Sequence, residues 1–128
     1  MSTAPPISSA PTATQAFTDA MRLPIRDVAA QLVEGLGVKM IAAMTNKKNE
    51  QTVSAWVTGT TKPHANTEER LRDILQIFLL IRTVDSVHTT RAWFVGKNPN
   101  LDYRAPALAI ADGQIHDAFN AAETFVNS

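Results

Sequence analysis

Residues Gln51 to Pro63 read Gln-Thr-Val-Ser-Ala-Trp-Val-Thr-Gly-Thr-Thr-Lys-Pro. Wound into a helix, Val53 and Trp56 share an inward face, while Gln51, Thr52 and Ala55 point away. Amides and hydroxyls on that outer face break no bonds. They offer hydrogen bonds, and at the start of a helix they suit a groove of base edges and phosphates. Lys47, Lys48 and Lys62 flank the stretch with ammonium groups suited to phosphates, and Asn49 stands at its entrance. Gly59 supplies a left-handed cap, and Pro63 prevents the helix from resuming. The pattern predicts a helix-turn-helix with residues 50–58 as its second helix. A plain helical hairpin with a solvated basic turn is the competing arrangement. Trp56 could also serve as a stacking platform for single strands, but its place on the inward stripe predicts core.

Bond-making chemistry finds little footing. His64, His88 and His116 are far apart, with no i, i+4 pair to chelate a metal. There is no Gly-x-Ser-x-Gly elbow and no Gly-rich phosphate loop. Asp117 and Glu123 are spaced for a solvated helix face rather than for acid–base work. The expectation is a protein that is not an enzyme and has no metal and no cofactor.

At 128 residues the chain is one domain, or one domain with an appendage, and can bury a modest core without staples. It has no cysteine, which excludes disulfides and zinc fingers and suits a reducing cytoplasm. A formal charge of zero argues against a strong nonspecific polyanion binder. The distribution is uneven. Up to His64 the chain carries Arg22, Arg26, Lys39, Lys47, Lys48 and Lys62 against Asp19, Asp27, Glu34 and Glu50. From Ala105 onward only the acids Asp112, Asp117 and Glu123 occur.

The elements that must position these groups read as all-α. Residues 1–18 hold three prolines and no charge, and are expected to be a disordered leader, dispensable for folding. They have neither a basic n-region nor an apolar run, so no targeting signal is expected and the location is cytoplasmic. A helix-turn-helix domain is expected over 19–84. Its first helix starts near Leu23-Pro24, carries the stripe Ile25, Val28, Ala29, Leu32, Val33 and Leu36, and ends at Gly35 and Gly37. A second helix spans about Val38 to Met44, and either Asn46 or Asn49 takes a left-handed conformation in the turn that follows. Asn66-Thr67-Glu68-Glu69 has capping-box character and opens a long helix to Val84. From Ile77 to Ile81 that helix is apolar on every side, so all of it must be covered. Contact with a second chain, giving a homodimer or higher oligomer, is the expectation; cover by the helices over 24–36 and 86–95 is the alternative. A C-terminal helical segment, 85–128, contains a helix over Ser86 to Val95 with Val87, Trp93 and Phe94 as its bulky members. A break at Gly96 to Asn100, a short helix from Pro106 to Ala111 stopped at Gly113, and a last helix from Gln114 to Val126 complete it.

Two motifs give residues 24–126 a resemblance to a known family. One is Thr52-Val53-x-x-Trp56-x-x-Gly59 with Pro63. The other is Trp93…Asn98-Pro99-x-Leu101-x-x-x-x-Pro106…Gly113, which generic Xre repressors lack. The chain resembles the antitoxins of RES–Xre toxin–antitoxin pairs, the MbcA/ParS/Xre family. Asp102-Tyr103 stands where members often carry small residues or glycine, and the turn before Thr52 lacks the glycine common in Xre repressors. The resemblance implies a lambda-repressor-like helix-turn-helix that represses its own operon, followed by a segment that occludes the active site of a NAD-degrading RES toxin. On that reading Gln51 and Thr52 touch operator DNA. Asp112, His116, Asp117, Glu123, Asn127 and Ser128 belong to toxin contact. A stand-alone transcriptional or phage repressor with no toxin partner is the alternative.

Overall fold

The computed structural model describes residues 12–128, and these are all-α, with no strand. In order they form α1 (Ala13–Arg22), α2 (Ile25–Leu36), α3 (Val38–Met44), α4 (Glu50–Thr58), α5 (Ala65–Arg82), α6 (Val87–Val95), α7 (Pro106–Ala111) and α8 (Ile115–Val126). A 3-10 turn, Pro99–Leu101, lies between α6 and α7.

Helix α5 is the axis, with α1, α2, α6 and α8 packed around it. Its Ile77, Phe78, Leu79 and Ile81 are all buried within this one chain. Leu80 is half-buried, so the cover that the apolar run demands is largely internal, and the run does not by itself call for a second chain. Part of the cover comes from α1, which corrects the reading of residues 12–18 as disordered leader; residues 1–11 lie outside the described residues. Thr12 and Gln15 form a reciprocal capping box, with Gln15 N donating to Thr12 Oγ1 at 3.0 Å and Thr12 N to Gln15 Oε1 at 2.9 Å. Ala16 and Ala20, one turn apart, are buried and small enough to bring α1 close to α5. Arg72 of α5 then donates to the carbonyls of Leu23 (2.8 Å) and Ala20 (3.3 Å), closing the end of α1.

Helix α2 runs through Gly35 and ends only at Gly37, whose φ is +93°. Gly35 has a packing role instead. A Cβ there would lie 2.4 Å from Cζ of Phe78, so the aromatic ring of α5 rests on bare backbone. From the other side, Arg91 Nε and Nη2 donate to the Gly35 carbonyl at 3.0 and 2.9 Å. Helix α5 starts at Ala65, with His64 as N-cap and no side-chain cap bond, so Asn66 and Thr67 lie inside its first turn rather than capping it.

No packing boundary falls at residue 84/85. Phe94, Ile110, Ala118 and Ala122 share one apolar cluster with Val28, Leu32, Ile41, Leu71 and Ile77. Phe94 is fully buried, whereas Val87 points outward at 36% exposure. Trp93 meets Phe94 edge to face at 5.2 Å and packs over a second, smaller cluster of Leu101, Ala109 and Ala121.

Candidate nucleic-acid interface

Helix α4 lies against α2 and α3. Val53 and Trp56 are its buried residues, at 0% and 3% exposure. Burying an aromatic and a β-branched side chain one turn apart fixes the rotation of a nine-residue helix. Gln51, Ser54 and Thr58 are consequently exposed, and Thr52 and Ala55 half-buried beside them. The sequence pattern did not single out Ser54 and Thr58, although the same helical period as Gln51 and Ala55 carries them.

Both ends of α4 are closed by local chemistry. Asn49 is the N-cap, its Oδ1 accepting from Gln51 N at 2.8 Å. Gly59 is left-handed at φ +81°, and Thr61 N returns to Ala55 O at 3.3 Å. Of the two asparagines before α4, Asn46 takes the left-handed conformation, at φ +59°.

Lys48, Asn49 and Lys62 are exposed and Lys47 half-buried. Ion pairs among the described residues are Arg72–Glu68 and Arg104–Asp112, so no carboxylate neutralises Lys47, Lys48 or Lys62. A groove of about 430 Å³ beside the end of α4 is lined in part by Arg26, Trp56, Gly59 and Lys62. Arg26 adds a cation that the sequence pattern did not single out, its Cδ lying 3.4 Å from where a Cβ on Gly59 would stand. Glu50, exposed in the first turn of α4, and Glu68, which lines the groove and pairs with Arg72, are acids of this region.

The C-terminal candidates sit elsewhere, on the helix that packs against α5 and α7. His116, Asp117, Glu123, Asn127 and Ser128 are all exposed on or just past α8. Asp112 is also exposed but is ion-paired with Arg104. His116, Asp73, Gln76, Ile77, Ile115 and Phe119 line a cleft of about 220 Å³. Burial, and then repulsion from Glu69, pushes the Asp73 carboxyl above its ordinary value, with His116 pulling the other way. No group of three His, Asp or Glu side chains among the described residues could hold a metal ion.

The middle of the C-terminal motif, Asn98 to Arg104, forms one closed loop. Asn98 Oδ1 accepts from Asn100 N at 2.9 Å. The Asn98 carbonyl accepts from Tyr103 N at 2.8 Å, and Asn98 N donates to Arg104 O at 3.1 Å. Asp102 and Tyr103 both have positive φ, +54° and +64°, a conformation that glycine takes at least cost.

No family model, curated protein or solved structure matches the chain. No helix among the described residues is long and apolar enough to cross a membrane.

Proposed function

We propose that this chain binds double-stranded DNA through α3 and α4 as a helix-turn-helix, represses its own operon, and neutralises a cognate RES-type toxin. One observation carries the DNA reading: Trp56 is turned inward, which leaves Gln51, Ser54 and Thr58 on the open face of α4. Unpaired lysines flank that face, as phosphate contact requires. The toxin reading rests on the resemblance, with the acidic outer side of α8 as its surface. Occlusion of the toxin's active site by that surface requires no chemistry from this chain.

A stand-alone repressor is the second reading, and a specific observation favours it. Asn98 of the C-terminal motif is committed to its own loop, and Asp112, one of the toxin-contact candidates, to Arg104.

Two experiments test these readings. In a gel-shift assay on DNA upstream of the coding region, Gln51→Ala/Thr52→Ala is expected to weaken specific binding by roughly 10- to 100-fold. Unchanged affinity in a folded double mutant removes α4 as the reading helix. Co-expression with the adjacent reading frame separates antitoxin from lone repressor; a neighbour that is harmless and does not co-purify eliminates the antitoxin.

A further inference from the structure

The ends of α3 and α7 are built alike, and the backbone groups left over at each end are satisfied by distant side chains. At the end of α7, Asp112 N donates to Leu108 O (3.1 Å), Gln114 N to Ala109 O (2.8 Å) and Gly113 N to Ile110 O (2.9 Å), with Gly113 at φ +88°. This is a Schellman closure, and it leaves the Ala111 carbonyl without a local donor. Asn46 Nδ2 fills that place, donating to Ala111 O at 2.9 Å across 65 residues of chain. At the end of α3, Lys47 N donates to Ala42 O (2.8 Å) and Asn46 N to Ala43 O (3.2 Å), with Asn46 itself left-handed where glycine is usual. Here Met44 O is left over, and Arg70 Nη1 of α5 donates to it at 3.2 Å. The α7 end is itself fastened, since Arg104 donates to Gln114 Oε1 at 2.9 Å and pairs with Asp112.

From this juxtaposition we infer that the end of α7, gripped by Asn46, is a brace for the turn that aims α4, so that the C-terminal segment tunes DNA reading. The inference rests on the DNA reading for its consequence, and on the hydrogen bonds for its mechanism. Asn46 is a positioning residue: it touches no DNA in this scheme but fixes the turn from which Lys47, Lys48 and Asn49 project. Linkage makes the effect reciprocal, so a partner that moves Asp112 or Gly113 alters operator affinity, and operator binding alters affinity for that partner.

Asn46→Gly keeps the left-handed backbone and removes the donor; Asn46→Asp keeps the shape and cannot donate to a carbonyl. Both are expected to weaken specific DNA binding by roughly 5- to 30-fold. Asn46→Gly, which leaves the charge unaltered, should keep nonspecific binding and its salt dependence unchanged, whereas Asn46→Asp adds a negative charge beside Lys47 and Lys48 and should lower both. A general loss of fold would lower both kinds of binding together. Specific affinity equal to the unmutated chain in Asn46→Gly, the charge-neutral variant, overturns the inference. If the unmutated chain binds no DNA, the DNA reading fails, and amide hydrogen exchange still decides the brace. Arg104→Ala, which unfastens α7, and Asn46→Gly are each expected to speed exchange at the hydrogen-bonded amides of Gln51 and Thr52 by about fivefold or more. Exchange there unchanged in both variants would rule out the brace.

Discussion

Replacing Gly35 by alanine sets two known effects against each other at a site where the geometry decides the sign. Within a helix, alanine is favoured over glycine by about 1 kcal/mol. Against that, the new Cβ would fall 2.4 Å from Cζ and 2.7 Å from Cε1 of Phe78, which is itself buried. Overpacking of this kind costs roughly 1–3 kcal/mol. Relief by sliding α2 outward is opposed by the paired hydrogen bonds from Arg91 to the Gly35 carbonyl. Gly35→Ala is therefore expected to be destabilising by up to about 2 kcal/mol. Phe78→Leu removes the offending atoms. In that background the same alanine should be neutral or stabilising by up to about 1 kcal/mol. The quantity to measure is the coupling in a double-mutant cycle, from urea denaturation with equal m-values in all four proteins. A coupling of roughly 1–3 kcal/mol is expected. A coupling below about 0.5 kcal/mol lies within ordinary additivity and would show that α2 and α5 do not meet at Gly35. The result matters for function because α2 is also the surface on which α4 rests.

Other outcomes follow from the same geometry. Thr12→Ala, which opens the capping box of α1, should cost about 1 kcal/mol in chemical denaturation; no loss would return residues 12–18 to a leader. Trp56→Ala should cost roughly 3–5 kcal/mol, measured the same way, whereas the exposed Gln51→Ala should stay within about 0.5 kcal/mol. Asp73 holds its proton more tightly folded than unfolded, so its relative contribution to stability is complete below pH 3.8 and is lost as pH rises through the raised value. Asp73→Asn is accordingly expected to raise the thermal midpoint at pH 7 and to give no such gain below pH 3.8; an equal gain at both would refute that account.

How much was legible in the sequence depends on whether a local signal had a competitor. Helix α4 was readable to the residue because Val53 and Trp56 set its period while Gly59 and Pro63 stopped it. Helix α1 was written just as locally, in Thr12-x-x-Gln15 and the Ala16/Ala20 pair, but prolines nearby and the absence of charge gave the opposite impression. Gly35 misled for a physical reason. Glycine is both a helix terminator and the residue that admits a close ring, and only the position of Phe78, 43 residues away, distinguishes the two. The all-round apolar stretch of α5 correctly demanded cover on every side. Most of that cover comes from within the chain, from α1 and α8 as well as α2 and α6, and local periodicity does not say which helices supply it. Of the candidate site, the α4 face was legible from periodicity, while Arg26 and the Asn46 bond to α7 depend on tertiary proximity that no local spacing encodes.

The zero net charge, which argues against DNA binding at first sight, counts arginines and lysines as equals, and the fold does not use them equally. Arg70, Arg72, Arg82, Arg91 and Arg104 all donate to backbone carbonyls within the fold, and two of them also pair with carboxylates. The planar guanidinium fork suits that task, since one group can satisfy several acceptors at a crowded helix end. Lysine offers a mobile point charge instead, and Lys39, Lys47, Lys48 and Lys62 form no ion pair among the described residues. All four precede α5, as do the exposed Arg22 and Arg26, while the fifth lysine, Lys97, is exposed just past α6. Apart from Lys97, the positive charge available to an outside phosphate is thus concentrated ahead of α5, against a total that reads as neutral. If that is the working distribution, replacing Lys47, Lys48 and Lys62 by alanine should lower the slope of log affinity against log salt by about one for each phosphate no longer neutralised. A slope that stays the same while affinity falls would mean that these lysines act on the fold and leave the phosphates to other groups.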